Sequence, residues 1–370
     1  MKIIKKSVDF SGWYTDVVLK ADLADYSPVK GCMVIKPNGY AIWEKVQEAF
    51  NVMMKSGGVE NAYFPLFIPE SLLNREKEHV EGFSPELAVV TIGGGKGLKE
   101  RLIVRPTSET IMYEMYSRWL KSWRDLPILI NQWNNVVRWE KRTYLFLRTM
   151  EFLWQEGHTV HETHQDALDM VSKALGWYKD LYQNFYAIDG IFGVKSNAEK
   201  FAGAVMTSSY EMLMPDGKAL QGGTSHDLGQ NFAKVFNMNF SDREGKTSIP
   251  WQTSWGLSTR SIGALIMSHG DDNGLVLPPK LAATQIIIVP IFKKSSKNKS
   301  LLKFCENLKR SLKSSRANVD SRSDQSVGWK FNEWELKGIP VRIEVGEKEY
   351  KSGKLAVIRR DTGARSLMSS

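Results

Sequence analysis

The sequence predicts an α+β fold, antiparallel strands packed by helices, followed by a small α/β domain. Three observations predict it. Groups of strand-patterned segments separated by longer helical ones run to about residue 273, a turn and proline pair follow at Asn273–Pro279, and strands then alternate with helices. At 370 residues the chain is too long for one ordinary domain. Residues 1–278 and 279–370 are therefore read as two units.

In the first unit, Asn38 is expected to cap a helix through about Met54, since Ile42, Val46, Phe50 and Met53 recur on one face. A strand is expected over Ala62–Ile68, and the glycine-rich Gly93–Gly97 reads as a hairpin tip because it lacks the Gly-Lys-Ser/Thr order of a phosphate loop. Thr107 or Ser108 should start a helix ending near Trp119. Long strands are expected over Ile128–Trp139 and Arg148–His158, joined by a loop at Lys141–Leu147. Thr163–Phe185 reads as one helix, and Asp216-Gly217 as a hairpin turn between Tyr210–Met214 and Lys218–Gln221. In the second unit, strands are expected at Thr284–Ile291, Ile339–Val345 and Leu355–Ile358, with helices at Leu301–Leu312 and Lys330–Leu336 and a basic loop at Lys293–Ser300.

Composition narrows the class. Apolar residues at 42% and charged ones at 25% exclude wholesale disorder. Cys32 and Cys305 are the two cysteines, which excludes a disulfide framework and a cysteine-built zinc site. The apolar run around Gln285–Phe292 is far short of the ~20 residues of a membrane helix, and no apolar stretch follows the basic amino terminus. A cytoplasmic protein with no membrane partner is expected. Nineteen of the 50 Lys+Arg but nine of the 41 Asp+Glu lie from Leu281 onward, giving that portion +10 and the rest −1. Such asymmetry suggests that an anionic macromolecule docks on the second unit.

Chemistry concentrates on one strand. With period two, Arg148, Met150, Phe152, Trp154, Glu156 and His158 share a face. An arginine, aromatics, a carboxylate and an imidazole make a poor core and a good pocket floor. Arg138 and Glu140 end the preceding strand on one face, so two arginines flank a loop and could clamp a polyphosphate bidentately. Thr107 and Glu109 can accept from an ammonium group, although Thr107-Ser108 also fits a helix cap. His158, His161 and His164 do not share a strand face, which argues against a metal site there.

The order Arg138-x-Glu140, loop, Arg148-x-x-x-Phe152-x-x-x-Glu156 resembles motif 2 of the class II aminoacyl-tRNA synthetases. Trp255-Gly-Leu-Ser-Thr-Arg260 resembles motif 3, and the helix through Met54 with Pro65-Leu-Phe67 resembles motif 1, the dimer-forming element. Val104-Arg-Pro-Thr-Ser-Glu-Thr110, Glu151–His158, Gln221–His226, Leu228–Phe232, Gly82–Glu86 and Phe331–Arg342 are similar to prolyl-tRNA synthetases, most of all the archaeal and eukaryotic branch. The resemblance runs from about Ser7 to Thr362. It implies an antiparallel catalytic sheet with surrounding helices and an α/β anticodon-binding domain. The implied activity is formation of prolyl-adenylate from L-proline and ATP with Mg²⁺, then transfer to proline tRNA, by a homodimer.

The resemblance also implies roles. Arg138 would hold the α-phosphate and the proline carboxylate, and Arg148 and Arg260 the outer phosphates. Phe152 would stack on adenine, Glu140 accept from its amine, and Thr149, Gln221, Thr224 and Ser258 lie along the nucleotide, Gln221 near the metal. Thr107, Glu109, Trp154, His158, Phe201 and His226 would form the proline pocket. About 100 residues separate motifs 2 and 3, so the editing domain of some bacterial relatives is not expected between them. Members of this branch continue beyond Arg359–Gly363 through a further helix and terminal domain, whereas this sequence stops at Ser370. It is therefore read as C-terminally truncated, with proline activation expected to exceed tRNA charging. The alternative is a synthetase-like paralogue or fragment that binds tRNA or activates proline but charges tRNA poorly.

Overall fold

The computed structural model describes residues 2–75, 87–292 and 299–369. Helix α1 (Phe10–Lys20) buries Trp13, Tyr14, Val17 and Val18 and leads to a hairpin of β1 (Ala24–Tyr26) and β2 (Met33–Ile35). Helix α2 (Pro37–Ser56) starts at proline, where a missing N–H leaves no bond unmade. Asn38, expected as its cap, instead donates through Nδ2 to the Ala21 carbonyl at 2.7 Å. The face carrying Ile42, Val46, Phe50 and Met54 is buried.

The strand expected over Ala62–Ile68 is two short strands in different sheets, β3 (Glu60–Asn61) and β4 (Phe67–Pro69). Between them the Phe64 N–H donates to Gln132 Oε1 and its carbonyl accepts from buried Arg105, so neither group can join a strand ladder. After a one-turn helix α3 (Glu70–Leu73), strand β4 pairs with the hairpin of β5 (Ala88–Gly93) and β6 (Lys96–Val104), whose tip is the glycine-rich segment. Gly82–Glu86 lies outside the described residues.

The main sheet follows. Helix α4 (Glu109–Trp119) precedes β7 (Ile128–Val137) and β8 (Glu151–His161), each ending or starting inside the expected bounds at the loop side. Helix α5 (His164–Leu181), capped by Thr163, gives way to a π-helical turn over Tyr182–Tyr186 where one uninterrupted helix was expected. Then come β9 (Ile191–Val194), β10 (Met206–Leu213) and β11 (Ala219–Gly229), with Gly217 at φ +81° in the expected turn. Helix α6 (Asn231–Val235), the short pair β12 (Phe240–Ser241) and β13 (Thr247–Ser248), strand β14 (Trp251–Ser258) and helix α7 (Arg260–His269) complete the unit. The seven strands run β3-β7-β8-β14-β11-β10-β9, antiparallel throughout except β3 with β7. Helix α5 covers one face, where the Tyr178 and Tyr182 hydroxyls donate to the Thr224 and Gly222 carbonyls. The other face of β8 is left for a pocket.

The second unit is β15 (Ile286–Pro290), α8 (Lys299–Ser311), β16 (Ala317–Val319), α9 (Val327–Leu336), β17 (Val341–Val345), α10 (Glu347–Ser352), β18 (Lys354–Arg359) and β19 (Arg365–Ser369). Its sheet order is β16-β15-β17-β18-β19, with β15 parallel to both neighbours and the rest antiparallel. Lys299 and Ser300, expected in a loop, open α8, and the remainder of that expected loop lies outside the described residues. Strands β16 and β19 and helix α10 had no counterpart in the sequence reading; each is short and weakly periodic. The two units are joined tightly. The Leu275 and Leu277 amides donate to the Leu336 and Gly338 carbonyls, and buried Arg360 grips Asp271 at 2.6 and 2.8 Å. A Cβ at Gly274 or Gly338 would meet backbone at 2.6 or 2.5 Å, so glycine is required at this junction.

Candidate active site

Strand β8 builds the floor. Phe152, Trp154, Glu156 and His158 alternate along it and line one cavity of about 220 Å³. At one end Arg138 donates through Nε to the Pro106 carbonyl at 3.1 Å, its guanidinium 5.5 and 5.4 Å from the Phe152 and Trp154 ring centres. Arg260, at the start of α7, donates through Nε to the Leu147 carbonyl at 3.0 Å, and its burial pulls its pKa below the usual value. Gln221 and Thr224 from β11 and Ser258 from β14 also line this cavity.

The opposite end is a buried polar network. The Thr107 hydroxyl donates to Glu109 at 2.5 Å. Glu156 accepts from the Ser108 N–H at 2.9 Å, the Ser108 hydroxyl at 2.5 Å, Asn134 at 2.6 Å and Gln132 at 3.1 Å, and faces His158 Nε2 at 3.0 Å. Burial by itself would raise the Glu156 pKa, but the bond and charge of His158, with the bonds from Ser108 and Asn134, bring it down to about 2. Burial likewise opposes charge on His158, yet Glu109 and Glu156 raise its pKa. Across the cavity Phe201 lies 4.6 Å from the His226 ring, and Thr207 bonds His226 Nδ1 at 2.8 Å. Burial, then positive His158 and Arg138, push the His226 pKa down to about 3, so that imidazole is neutral.

Among the described residues, Glu109, Glu156 and His158 form the one group whose ligand atoms, within 4.8 Å of each other, could surround an ion. Glu156 is committed to hydrogen bonds there, so the trio reads as a polar recognition site. His161 bonds Thr159, and His164 stacks on Trp251 and pairs with Asp227, so the three histidines go three ways.

The structure departs from expectation at three site positions. Arg148 precedes β8 and faces Tyr144 in an isolated bridge, because the strand forms only from Glu151. Its guanidinium reaches Glu140 at 2.5 Å, within electrostatic range of Arg260, and neither residue lines the cavity. Thr149, expected along the nucleotide, is buried elsewhere: its hydroxyl donates to the Glu151 carbonyl at 2.7 Å and it lines a separate cleft beside Cys32. Sequence reasoning missed Ser108 as a Glu156 ligand, and Gln132 and Asn134 as its donors. The period of β7 held a signal for the last two, which share a face opposite Glu156.

A family model described as the tRNA synthetase class II core domain (G, H, P, S and T) matches residues 94–269, and one described as an anticodon binding domain matches residues 285–370. An antiparallel sheet with its pocket between two arginines is thus the core of a class II synthetase. The proline–tRNA ligase of Chlorobium chlorochromatii is 57% identical over 363 residues, covering 98% of this chain and 75% of that relative. The proline–tRNA ligase of Natranaerobius thermophilus and proline–tRNA ligase 2 of Clostridioides difficile are each 56% identical over 362 residues, with the same coverage. The chain belongs to the proline–tRNA ligase family and spans about three quarters of the length of these relatives.

Proposed function

We propose that this chain joins L-proline to ATP and passes the prolyl group to proline tRNA. One observation carries the proposal: a single cavity places two arginines and an aromatic face at one end and the Thr107–Glu109 acceptor pair at the other. A proline carboxylate oxygen attacks the α-phosphorus, the bond to the bridging oxygen of the β-phosphate breaks, and pyrophosphate leaves. A terminal tRNA hydroxyl then attacks the prolyl carbonyl and AMP leaves. Both first-step reactants are anionic, so alignment and charge neutralisation matter more than a protein nucleophile.

In this reading Arg138 bridges the proline carboxylate and the α-phosphate, while Arg260 and Arg148 hold the outer phosphates. Phe152 stacks on adenine, Glu140 accepts from its amine, and Thr224 and Ser258 flank the nucleotide. Thr107 and Glu109 accept from the secondary ammonium, with Trp154, Phe201, His226 and His158 around the ring. Gln221 offers one amide oxygen, which suits a magnesium ion that takes most of its shell from water and phosphate. Magnesium would neutralise phosphate charge and orient the leaving pyrophosphate. Thr149 has no role in this reading.

The units divide, in this proposal, between Pro278 and Pro279, and the second binds the anticodon. Among the described residues no helix is long and apolar enough to cross a membrane; we assign the chain to the cytoplasm. Exposed Tyr40, Tyr63 and Phe67 around α2 and β4 support a homodimer through this element. Proline-dependent ATP–pyrophosphate exchange tests the activity. Arg138→Ala is expected to lower it about 100-fold or more, as for loss of one preorganised charge-stabilising donor. Near-wild-type exchange in that variant would sink the role of Arg138, and none in the unaltered chain would sink the proposal.

A further inference from the structure

Glu156 lies under the amino-acid end of the pocket, 1% exposed, and its carboxylate is already fully engaged. One oxygen accepts from Ser108 Oγ, Asn134 and Gln132, and the other from the Ser108 N–H while facing His158 Nε2. A carboxylate offers about four lone-pair sites, so no acceptor capacity remains for a ligand. What the carboxylate does is hold two other elements.

The first is the turn into α4. Ser108 occupies the N-cap position but makes no side-chain cap bond. Both its N–H and its hydroxyl go to Glu156, which therefore clamps the turn from a neighbouring strand. Thr107 and Glu109 flank that clamped residue. The second is the imidazole of His158. Because Nε2 is engaged by Glu156, Nδ1 is turned toward Glu109 Oε1 at 4.0 Å, buried and with no hydrogen-bond partner among the described residues. A buried polar atom without a partner, on a residue that lines the cavity, fits a site completed by a ligand.

We propose that Glu156 is a positioning residue for recognition of the substrate's ammonium end: it fixes the Thr107–Glu109 turn and the His158 ring without touching the substrate. This rests on the proline-activation reading above. Its effect belongs to proline more than to ATP, because Arg260, at the outer-phosphate end, is held by a separate contact with the Leu147 carbonyl.

The test is exchange kinetics on the full chain with Glu156→Gln and Asn134→Leu, each with its melting temperature. Glu156→Gln puts an amide donor against the Ser108 and Asn134 donors; proline KM is expected to rise about tenfold or more, the scale of a lost charged hydrogen bond, with ATP KM within about twofold. Asn134→Leu removes one donor from outside the cavity wall and is expected to raise proline KM about threefold, again sparing ATP. If Glu156→Gln does not fold, the Asn134→Leu split decides. A lowered melting temperature with proline KM unchanged overturns the proposal, and so do equal rises in both KM values. No proline-dependent exchange in the unaltered chain overturns the activation reading and this proposal together; normal exchange there with no split in the variants overturns this proposal alone.

Discussion

His158 and His161 stand three positions apart on β8 and so point to opposite faces of the sheet. Both are buried, and burial disfavours the charged ring on each. His158 faces Glu109 and Glu156, which raise its pKa, whereas His161 bonds the neutral Thr159 hydroxyl at 2.7 Å and its pKa falls to about 4. The unfolded chain therefore takes up a proton at this position between pH 6.5 and about 4 that the folded chain refuses. Where the unfolded state binds more protons, stability falls as pH falls. His161→Gln should accordingly flatten the drop in melting temperature across that window. An unchanged slope, measured by thermal melts from pH 7 to pH 4, would count against a neutral buried His161.

At the scale of elements, ends were harder to read than existence. Helix α5 starts where its cap requires: Thr163 Oγ1 accepts from the Asp166 N–H at 3.1 Å and donates to the Asp166 carboxylate at 2.6 Å. Thr163→Ala should cost about 1 kcal/mol, as typical cap losses do. Circular-dichroism melts check it, and no measurable loss would show the cap to be redundant with packing of Trp177 and Tyr178. The floor of the pocket was legible because period two on β8 puts Phe152, Trp154, Glu156 and His158 on one side. The same period misplaced Arg148, since only the register with β7 shows that pairing stops at Glu151↔Val137. Thr107-Ser108 reads locally as a helix cap. Its real partner, Glu156, lies 48 residues from Ser108, beyond any local pattern.

At the scale of the whole molecule, Arg360 and Asp271 fasten the two units, and α7 runs from Arg260 in the pocket to just before Asp271 at that junction. The proposed homodimer belongs to this scale too. Sedimentation at micromolar concentration should give a species of roughly twice the 42.0 kDa chain mass, and a lone chain-sized species would remove the dimer from the proposal. The sequence by itself determined the fold class: its alternating patterns specify an antiparallel α+β unit followed by an α/β unit, and the resemblance of its motifs implies that the first is catalytic. Local spacing is enough for these, because periodicity and capping act over a few residues. Only the tertiary structure decided that Thr149 turns away from the pocket, that Phe64 interrupts a strand to meet Gln132 and Arg105, and that Glu156 gathers Ser108, Gln132, Asn134 and His158. Each depends on hydrogen bonds between distant segments, and a buried polar group takes whichever partner the packed fold brings within reach.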